Sequence, residues 1–241
     1  MRSSISPGKI TTSSSPTLCS STLYIAPPHQ RWCSSPKYTS IIPFAGTLNS
    51  PPPSHPPDVT ITTPRLTIRL ADETDVPAIL AYYHENRAHL EPWEPRRPDG
   101  FHTAEFWVGQ VARNREQAET DRSLRRFIFA NDSPGQVIGT LNFSEFVRGA
   151  FQACYLGYDL AAARQGQGYM SEALRAAIPH AFGTLRMHRI MANHLPHNRR
   201  SANVLRALGF QVEGYARDYL RINGRWEDHV LTSLTNPDWA D

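Results

Sequence analysis

A glycine-rich turn, Arg164-Gln165-Gly166-Gln167-Gly168-Tyr169, carries the most specific chemical signal in the sequence. Apolar residues alternate before it, as in a strand over residues 150–160, and recur at helical spacing after it, over residues 170–181. A turn between a strand and a helix directs backbone N–H groups along the positive end of the helix dipole, where phosphate groups bind. We therefore expect residues 164–169 to bind a phosphate or pyrophosphate, mainly through backbone N–H groups.

Two common classes of phosphate site do not fit this turn. A P-loop places Lys and then Ser or Thr after its last glycine, whereas Tyr169 and Met170 stand there. A dinucleotide fingerprint needs a third glycine at the position of Ser171 and lies in the first βα unit of its domain. The pyrophosphate of coenzyme A remains as a ligand, and a turn whose glycines serve only its backbone geometry remains as the alternative.

The elements that position this turn predict an α/β fold. We expect, in order, an edge strand broken at Pro64 (60–70), a helix from Asp72 (72–83), a helix (103–121), three antiparallel strands (127–130, 137–143 and 150–160), the turn and its helix, a strand (189–194), a helix ended by Gly209 (201–208), and a hairpin over Asn223-Gly224 (212–222 and 225–234). These elements predict a mixed, mostly antiparallel central sheet with flanking helices.

The first 57 residues differ in composition from the rest. They contain 13 Ser, 11 of the 20 Pro, both lysines and no Asp or Glu. We expect a disordered Ser- and Pro-rich extension over residues 1–57 and one domain over residues 58–241. A transit peptide or an early start codon are the alternatives, although the prolines oppose an amphipathic helix and no apolar stretch resembles a secretory signal.

Charge and cysteine content narrow the function classes. The extension holds four basic residues, more than the net charge of +3, so the domain is close to neutral and gives no case for a nucleic-acid footprint. Cys154 is the one cysteine of residues 58–241, and we expect a buried apolar residue rather than a nucleophile. No disulfide framework or metal cluster is expected, which suits a reducing, cytoplasmic compartment.

Several motifs resemble the GCN5-related N-acetyltransferase (GNAT) family. The turn, the following Ser171-Glu172-Ala173-Leu174, and Asn198-Arg199-Arg200-Ser201 with Leu208-Gly209-Phe210 are similar to that family. Other segments resemble its RimJ branch, among them Asn142-Phe143-Ser144, Val147-Arg148-Gly149, Ala153-Cys154-Tyr155-Leu156-Gly157-Tyr158, His188-Arg189-Ile190-Met191-Ala192-Asn193, Pro196-His197-Asn198, Glu213-Gly214-Tyr215-Ala216, Asp228-His229-Val230-Leu231-Thr232 and Pro237-Asp238-Trp239. The resemblance, from about Thr63 to Trp239, implies a GNAT fold with a coenzyme A-binding split between two strands.

The resemblance implies acetyl-CoA as the acetyl donor and direct transfer to an amine, without an acyl-enzyme or a metal. It places cofactor contacts on the strand, the turn and the later helix: Leu156, Gly157, Tyr158, Arg164, Gln165, Gly166, Gln167, Gly168, Tyr169, Asn198 and Ser201. A backbone N–H of residues 156–158 would meet the oxyanion, and Gly157 would admit the pantetheine arm. Asn198 could instead be a helix N-cap.

The usual acid and base of the family are missing from this sequence. Asn193 stands at the position that often carries Glu, Leu205 at the position that often carries Tyr, and Ala163 where the turn usually begins with Gln or Arg. We assign Ser201 as the group that protonates or hydrogen-bonds the departing thiolate, with a helix cap as its alternative. The base stays open between Glu94, Glu91, Glu145 and a water held by Asn193 and His194, with His197 in the same loop.

The RimJ branch acts on the N-terminal alanine of a small-subunit ribosomal protein, and the chemistry suits that substrate. An α-amine has a pKa of about 7.7–8.0, so it is partly neutral near pH 7.5 and needs only a weak base. Trp93, Glu91 and Arg148 are our candidates for contacts to the protein substrate, although Trp93 could instead pack beneath its loop. A small-molecule amine acetyltransferase and a coenzyme A-binding ribosome-assembly protein are the alternatives; neither nucleic-acid readout nor a membrane is expected.

Overall fold

The computed structural model describes residues 59–240, and the expectations for residues 1–57 lie outside this range. The strands are β1 (Ile61–Thr62), β2 (Leu66–Arg69), β3 (Leu124–Ala130), β4 (Val137–Val147), β5 (Ala153–Leu160), β6 (Arg189–Met191), β7 (Gln211–Ile222) and β8 (Arg225–Thr235). The helices are α1 (Val76–Glu85), α2 (Arg87–Leu90), α3 (Ala104–Glu119), α4 (Tyr169–Gly183) and α5 (Arg199–Ala207), with short 3₁₀ turns at Glu73–Asp75, Glu91–Trp93 and Ala162–Arg164.

The eight strands form one sheet in the order β1-β2-β3-β4-β5-β6-β8-β7. Every neighbouring pair is antiparallel except β5 and β6, which run parallel. The predicted mixed, mostly antiparallel sheet is therefore confirmed. The parallel pair is short, joining Ala153–Tyr155 to Arg189–Met191, while β5 continues to Leu160. The two strands thus part after Tyr155, and the gap beyond it is called the split below.

Two apolar cores cover the two faces of the sheet. Residues of β3 alternate between them, as the period of a strand requires: Leu124 and Ile128 pack with α4, whereas Phe127 and Phe129 pack with α1 and α3. Leu205 of α5 belongs to the α4 side. The face opposite α4 and α5 is called the acceptor face below. The split therefore lies between the face that α4 and α5 cover and the acceptor face, on which α1 and α3 pack.

Local signals in the sequence set most element boundaries. Asp72 forms a capping box with Asp75, Gly209 has a φ of +88°, and Asn223 and Gly224 have φ of +42° and +86°, as a tight hairpin turn requires. Cys154 is fully buried, as expected, and burial raises the pKa of its thiol to about 12.

Some expected boundaries were wrong. Residues 60–70 form two antiparallel strands and not one, because the chain reverses at Pro64. The strand expected over 189–194 ends at Met191, with His194 making only an isolated bridge to Val230. Within residues 59–240, no helix is both long and apolar enough to span a membrane.

Candidate active site

The N-terminus of α4 follows the glycine turn that leaves the end of β5. Gly166 and Gly168 have φ of +72° and +81°, a conformation that side chains other than glycine disfavour. Helix α4 begins at Tyr169, so the N–H groups of its first turn have no partners inside the helix. A Cβ atom at Gly166 would meet no atom within 4 Å outside its chain neighbours, so the turn presents backbone and open space. These N–H groups can bind an anion, as the sequence predicts.

A clamp from the β1–β2 turn holds this helix end in place. The Glu172 carboxylate accepts hydrogen bonds from Thr63 Oγ1 at 2.6 Å and from Arg65 Nε at 2.6 Å. Arg65 also donates to the Gln167 carbonyl at 2.9 Å and lies over the Tyr169 ring, 4.3 Å from its centroid. Sequence reasoning missed Arg65 because it lies about a hundred residues from its partners and no local pattern marks it.

The polar side chains of the turn are bound to protein neighbours. Arg164 pairs with Asp132 in the β3–β4 turn at 3.0 Å, and this pairing raises the pKa of the guanidinium. Gln167 donates to the Ala163 carbonyl at 2.8 Å, and Gln165 bonds to His89 at 2.9 Å. Gln165 also accepts from Arg200 of α5, which ties the turn to that helix. Phosphate groups would therefore meet the backbone of the turn first.

A contact between Tyr158 and Ser201 joins β5, which borders the split, to α5. The Tyr158 hydroxyl lies 2.8 Å from Ser201 Oγ, and burial raises the Tyr158 pKa to about 12, so the phenol stays protonated. Asn198 caps α5, because its Oδ1 accepts from the Ser201 N–H at 3.1 Å. The alternative reading of Ser201 as the cap is therefore wrong. Its hydroxyl is bound to Tyr158 instead.

The remaining cofactor candidates on β5 contribute backbone and space. The Leu156 side chain is buried in the α4-side core, so only its backbone can face the split. Gly157 is exposed, and a Cβ atom added there would meet no atom within 4 Å outside its chain neighbours. Coenzyme A fits this arrangement, since an anion site at a helix N-terminus lies beside strands that part around an open glycine.

On the acceptor face, Asn193 lies where β6 leaves the sheet. Its Nδ2 donates to the Tyr219 hydroxyl at 3.3 Å, and its Oδ1 accepts from the Thr232 N–H at 3.3 Å. No motif in the sequence marks Tyr219. On the same face of β5, Asp159 accepts from Tyr82, a residue of the core on that side, at 2.5 Å and from Thr140 at 2.7 Å. This face therefore offers polar groups to an acceptor amine.

The loop after α2 brings Glu91, Trp93 and Glu94 to the same side. A cavity of about 590 Å³ is lined by Glu91, Glu94 and Asn223 among others, and the Asn223 N–H donates to the Glu94 carbonyl at 2.9 Å. Glu94 is held by Arg97, whose Nε donates to it at 2.6 Å. Burial raises the Glu94 pKa, and the Arg97 charge opposes that rise. Trp93 is 40 % exposed.

Other candidates occupy different places. Trp93 does not pack beneath its loop; its ring lies 5.4 Å from that of His197. Arg148 lies at the end of the sheet where β5 begins, and its guanidinium pairs with Asp121 and donates to the Leu185 carbonyl at 2.8 Å. Its assignment to substrate contacts stays a prediction. Among residues 59–240, no group of three or more His, Cys, Asp and Glu side chains could hold a metal ion.

Comparison with known proteins decides the family. The family model described as an acetyltransferase (GNAT) domain matches residues 65–211. The chain belongs to the GNAT family. It is 46 % identical over 187 residues to the [ribosomal protein uS5]-alanine N-acetyltransferase of Escherichia coli, covering 78 % of this chain and 96 % of that one.

Solved structures of GNAT enzymes agree with this assignment. The ribosomal-protein-S5-alanine acetyltransferase of Vibrio fischeri is 38 % identical with a TM-score of 0.73, over 76 % of this chain and all of that one. Mycobacterium smegmatis RimJ, solved with CoA-disulfide, is 29 % identical with a TM-score of 0.70, over 78 % of this chain and 92 % of that one. As a GNAT enzyme, this protein is an acyltransferase that uses acetyl-CoA.

Proposed function

We propose that this GNAT enzyme is a cytoplasmic N-α-acetyltransferase acting on the N-terminal alanine of a small-subunit ribosomal protein. The observation that carries the proposal is the 46 % identity, over 96 % of its length, to the E. coli enzyme named for uS5 alanine. The candidate base supports it, because Glu94 is a carboxylate and so a weak base, whereas a lysine amine has a pKa of about 10.4. An α-amine near 7.7–8.0 loses its proton far more easily.

The acetyl donor supplies an activated acyl group, and the side chains around the split manage the protons. The acceptor amine gives up a proton to Glu94, either directly or through a water held by Asn193. Burial raises the pKa of the Glu94 carboxyl, which makes it a better base than an exposed carboxylate. A backbone N–H of residues 156–158 stabilises the oxyanion as the amine adds to the thioester carbon.

Ser201 then gives its proton to the departing thiolate. The Tyr158 hydroxyl, 2.8 Å from Ser201 Oγ and protonated at neutral pH, donates a hydrogen bond to the serine oxygen as that proton leaves, and solvent water then returns a proton to Ser201. Asn198 holds the first turn of α5, and so the Ser201 backbone, in place through the cap. Glu91 and Trp93, in the loop after α2, contact the protein substrate.

The test is the intact mass of each ribosomal protein from a strain that lacks the gene. We expect one small-subunit protein to lose the mass of one acetyl group and to regain it when the wild-type gene is restored. A Gly166→Trp variant should fail to restore it, because the indole would occupy the anion site. Unchanged masses for every ribosomal protein in the deletion strain would overturn the proposal.

A further inference from the structure

The β7–β8 hairpin contains an irregularity close to the split. Ala216 pairs with His229 and Leu220 with Glu227, so residues 217–219 of β7 face the single residue Asp228 of β8. Within this bulge Asp218 has a φ of +45°, a conformation that costs free energy in a residue other than glycine. Bulges re-aim side chains and occur beside active sites more often than elsewhere in sheets.

Asp228 holds the bulge in its shape. The bond that spans the bulge runs from the Asp218 N–H to one carboxylate oxygen, at 2.9 Å; the other oxygen accepts from the hydroxyl of Tyr215, which lies outside the bulge, at 2.7 Å. Both bonds favour the ionised form and lower the Asp228 pKa. The irregularity is therefore bonded at its centre and is not a frayed segment of strand.

The bulge aims Tyr219 at the end of the split. Its hydroxyl oxygen accepts from Asn193 Nδ2 at 3.3 Å, and the ring lies 5.5 Å from that of His229. Ile190 and Ala192 pack in the α4-side core. Asn193 comes next and therefore points to the opposite side, the acceptor face, where Tyr219 bonds to it. The bond from the Thr232 N–H to Asn193 Oδ1 turns the Asn193 amide nitrogen toward the phenol.

We propose that the Tyr219 hydroxyl, with Asn193, forms the hydrogen-bonding site that receives the acceptor α-amine. The phenol oxygen accepts one N–H of the neutral amine, which leaves the nitrogen lone pair free to reach the thioester carbon. Asp228 is the positioning residue that fixes the bulge and so the direction of Tyr219. This inference rests on the proposed function, whose N-terminal substrate supplies the amine.

The test compares Tyr219→Phe with Tyr215→Phe in the purified full-length enzyme. Each variant loses one hydroxyl from β7, but Tyr215 is an exposed neighbour whose loss leaves the bond between Asp218 and Asp228 intact. Initial rates are measured with acetyl-CoA and a peptide that begins with Ala. We expect Tyr219→Phe to lower kcat/KM for the peptide about tenfold, the effect of one lost hydrogen bond, and Tyr215→Phe to change it less than twofold.

Two readouts separate a role in binding the amine from a merely structural one. The KM for acetyl-CoA and the melting temperature should stay unchanged in Tyr219→Phe, whereas a structural role would alter them together with the peptide kinetics. An unchanged kcat/KM for the peptide would overturn the inference. If the wild-type enzyme accepts only another class of amine, the proposed function fails, and the same comparison with that amine still decides the role of Tyr219.

Discussion

Replacing His180 with Gln should flatten the decline of stability at acid pH. His180 lies on α4 at 9 % exposure, and Arg126 of β3, fully buried, donates to its Nε2 at 2.9 Å. Burial, with a smaller contribution from the Arg126 charge, lowers the His180 pKa from 6.5 to about 4. Neutral His180 accepts the Arg126 hydrogen bond, and a protonated ring could not.

The sign and size of the His180 contribution to the free energy of unfolding follow from the linkage between protonation and folding. Because the unfolded chain binds this proton more tightly than the folded one, the contribution of His180 is complete above its unfolded pKa and is lost as pH falls toward the folded value. With pKa values of 6.5 and about 4, the loss is about 2 kcal/mol between pH 7.5 and pH 5. Most carboxylates titrate below that window, and the other histidines contribute equally to wild type and to the variant, so the difference between the two reports His180.

The assay is urea unfolding at several pH values for wild type, His180→Gln and His84→Gln. Gln at 180 can still accept from Arg126 but cannot be protonated, so this variant should lose about 2 kcal/mol less stability than wild type between the same two pH values. His84, exposed on α1, is the matched control and should follow wild type. A decline in His180→Gln as steep as in wild type would refute the reasoning.

Three further predictions concern the active site. Ser201→Ala should lower kcat on the order of 100-fold at saturating acetyl-CoA, and an unchanged kcat in steady-state assays would remove Ser201 as the proton donor. Arg97→Gln should move the acid limb of the pH–rate profile to higher pH, because the Arg97 charge lowers the Glu94 pKa and only ionised Glu94 is a base. An acid limb that does not move would exclude Glu94 as the base. Gly157→Val should leave the melting temperature unchanged, since no atom lies close to the added Cβ. The same variant should lower the rate of acetyl transfer about 100-fold, because the side chain narrows the split. An unchanged rate would contradict the placement of acetyl-CoA beside Gly157.

The parts of the fold that the sequence predicts are those with local signals. The Asp72 cap, the Asn223-Gly224 turn and the glycine turn before α4 each depend on residues a few positions apart, so a single segment contains the whole argument. Strand alternation similarly predicts the mixed sheet. The Pro64 reversal shows the limit, because the same alternation suits one strand or two short ones.

The parts that escaped prediction depend on distant contacts. The clamp of Arg65 on Glu172 joins segments about a hundred residues apart, and nothing near Arg65 marks it. Tyr219 reaches Asn193 only because a bulge changes the register of β7, which alternation alone does not reveal. Arg148 shows the same limit: its motif resembles the family, but nothing in the sequence reveals that Asp121 binds its charge.

The most direct test of the account is acetyl transfer by the purified enzyme to matched peptides of a small-subunit ribosomal protein. One peptide begins with a free alanine, and the other has that α-amine blocked and keeps an internal lysine. Mass spectrometry with acetyl-CoA should show one acetyl group on the α-amine of the first peptide and none on the second. Acetylation of the lysine in the blocked peptide, with the free alanine left unmodified, would contradict the account.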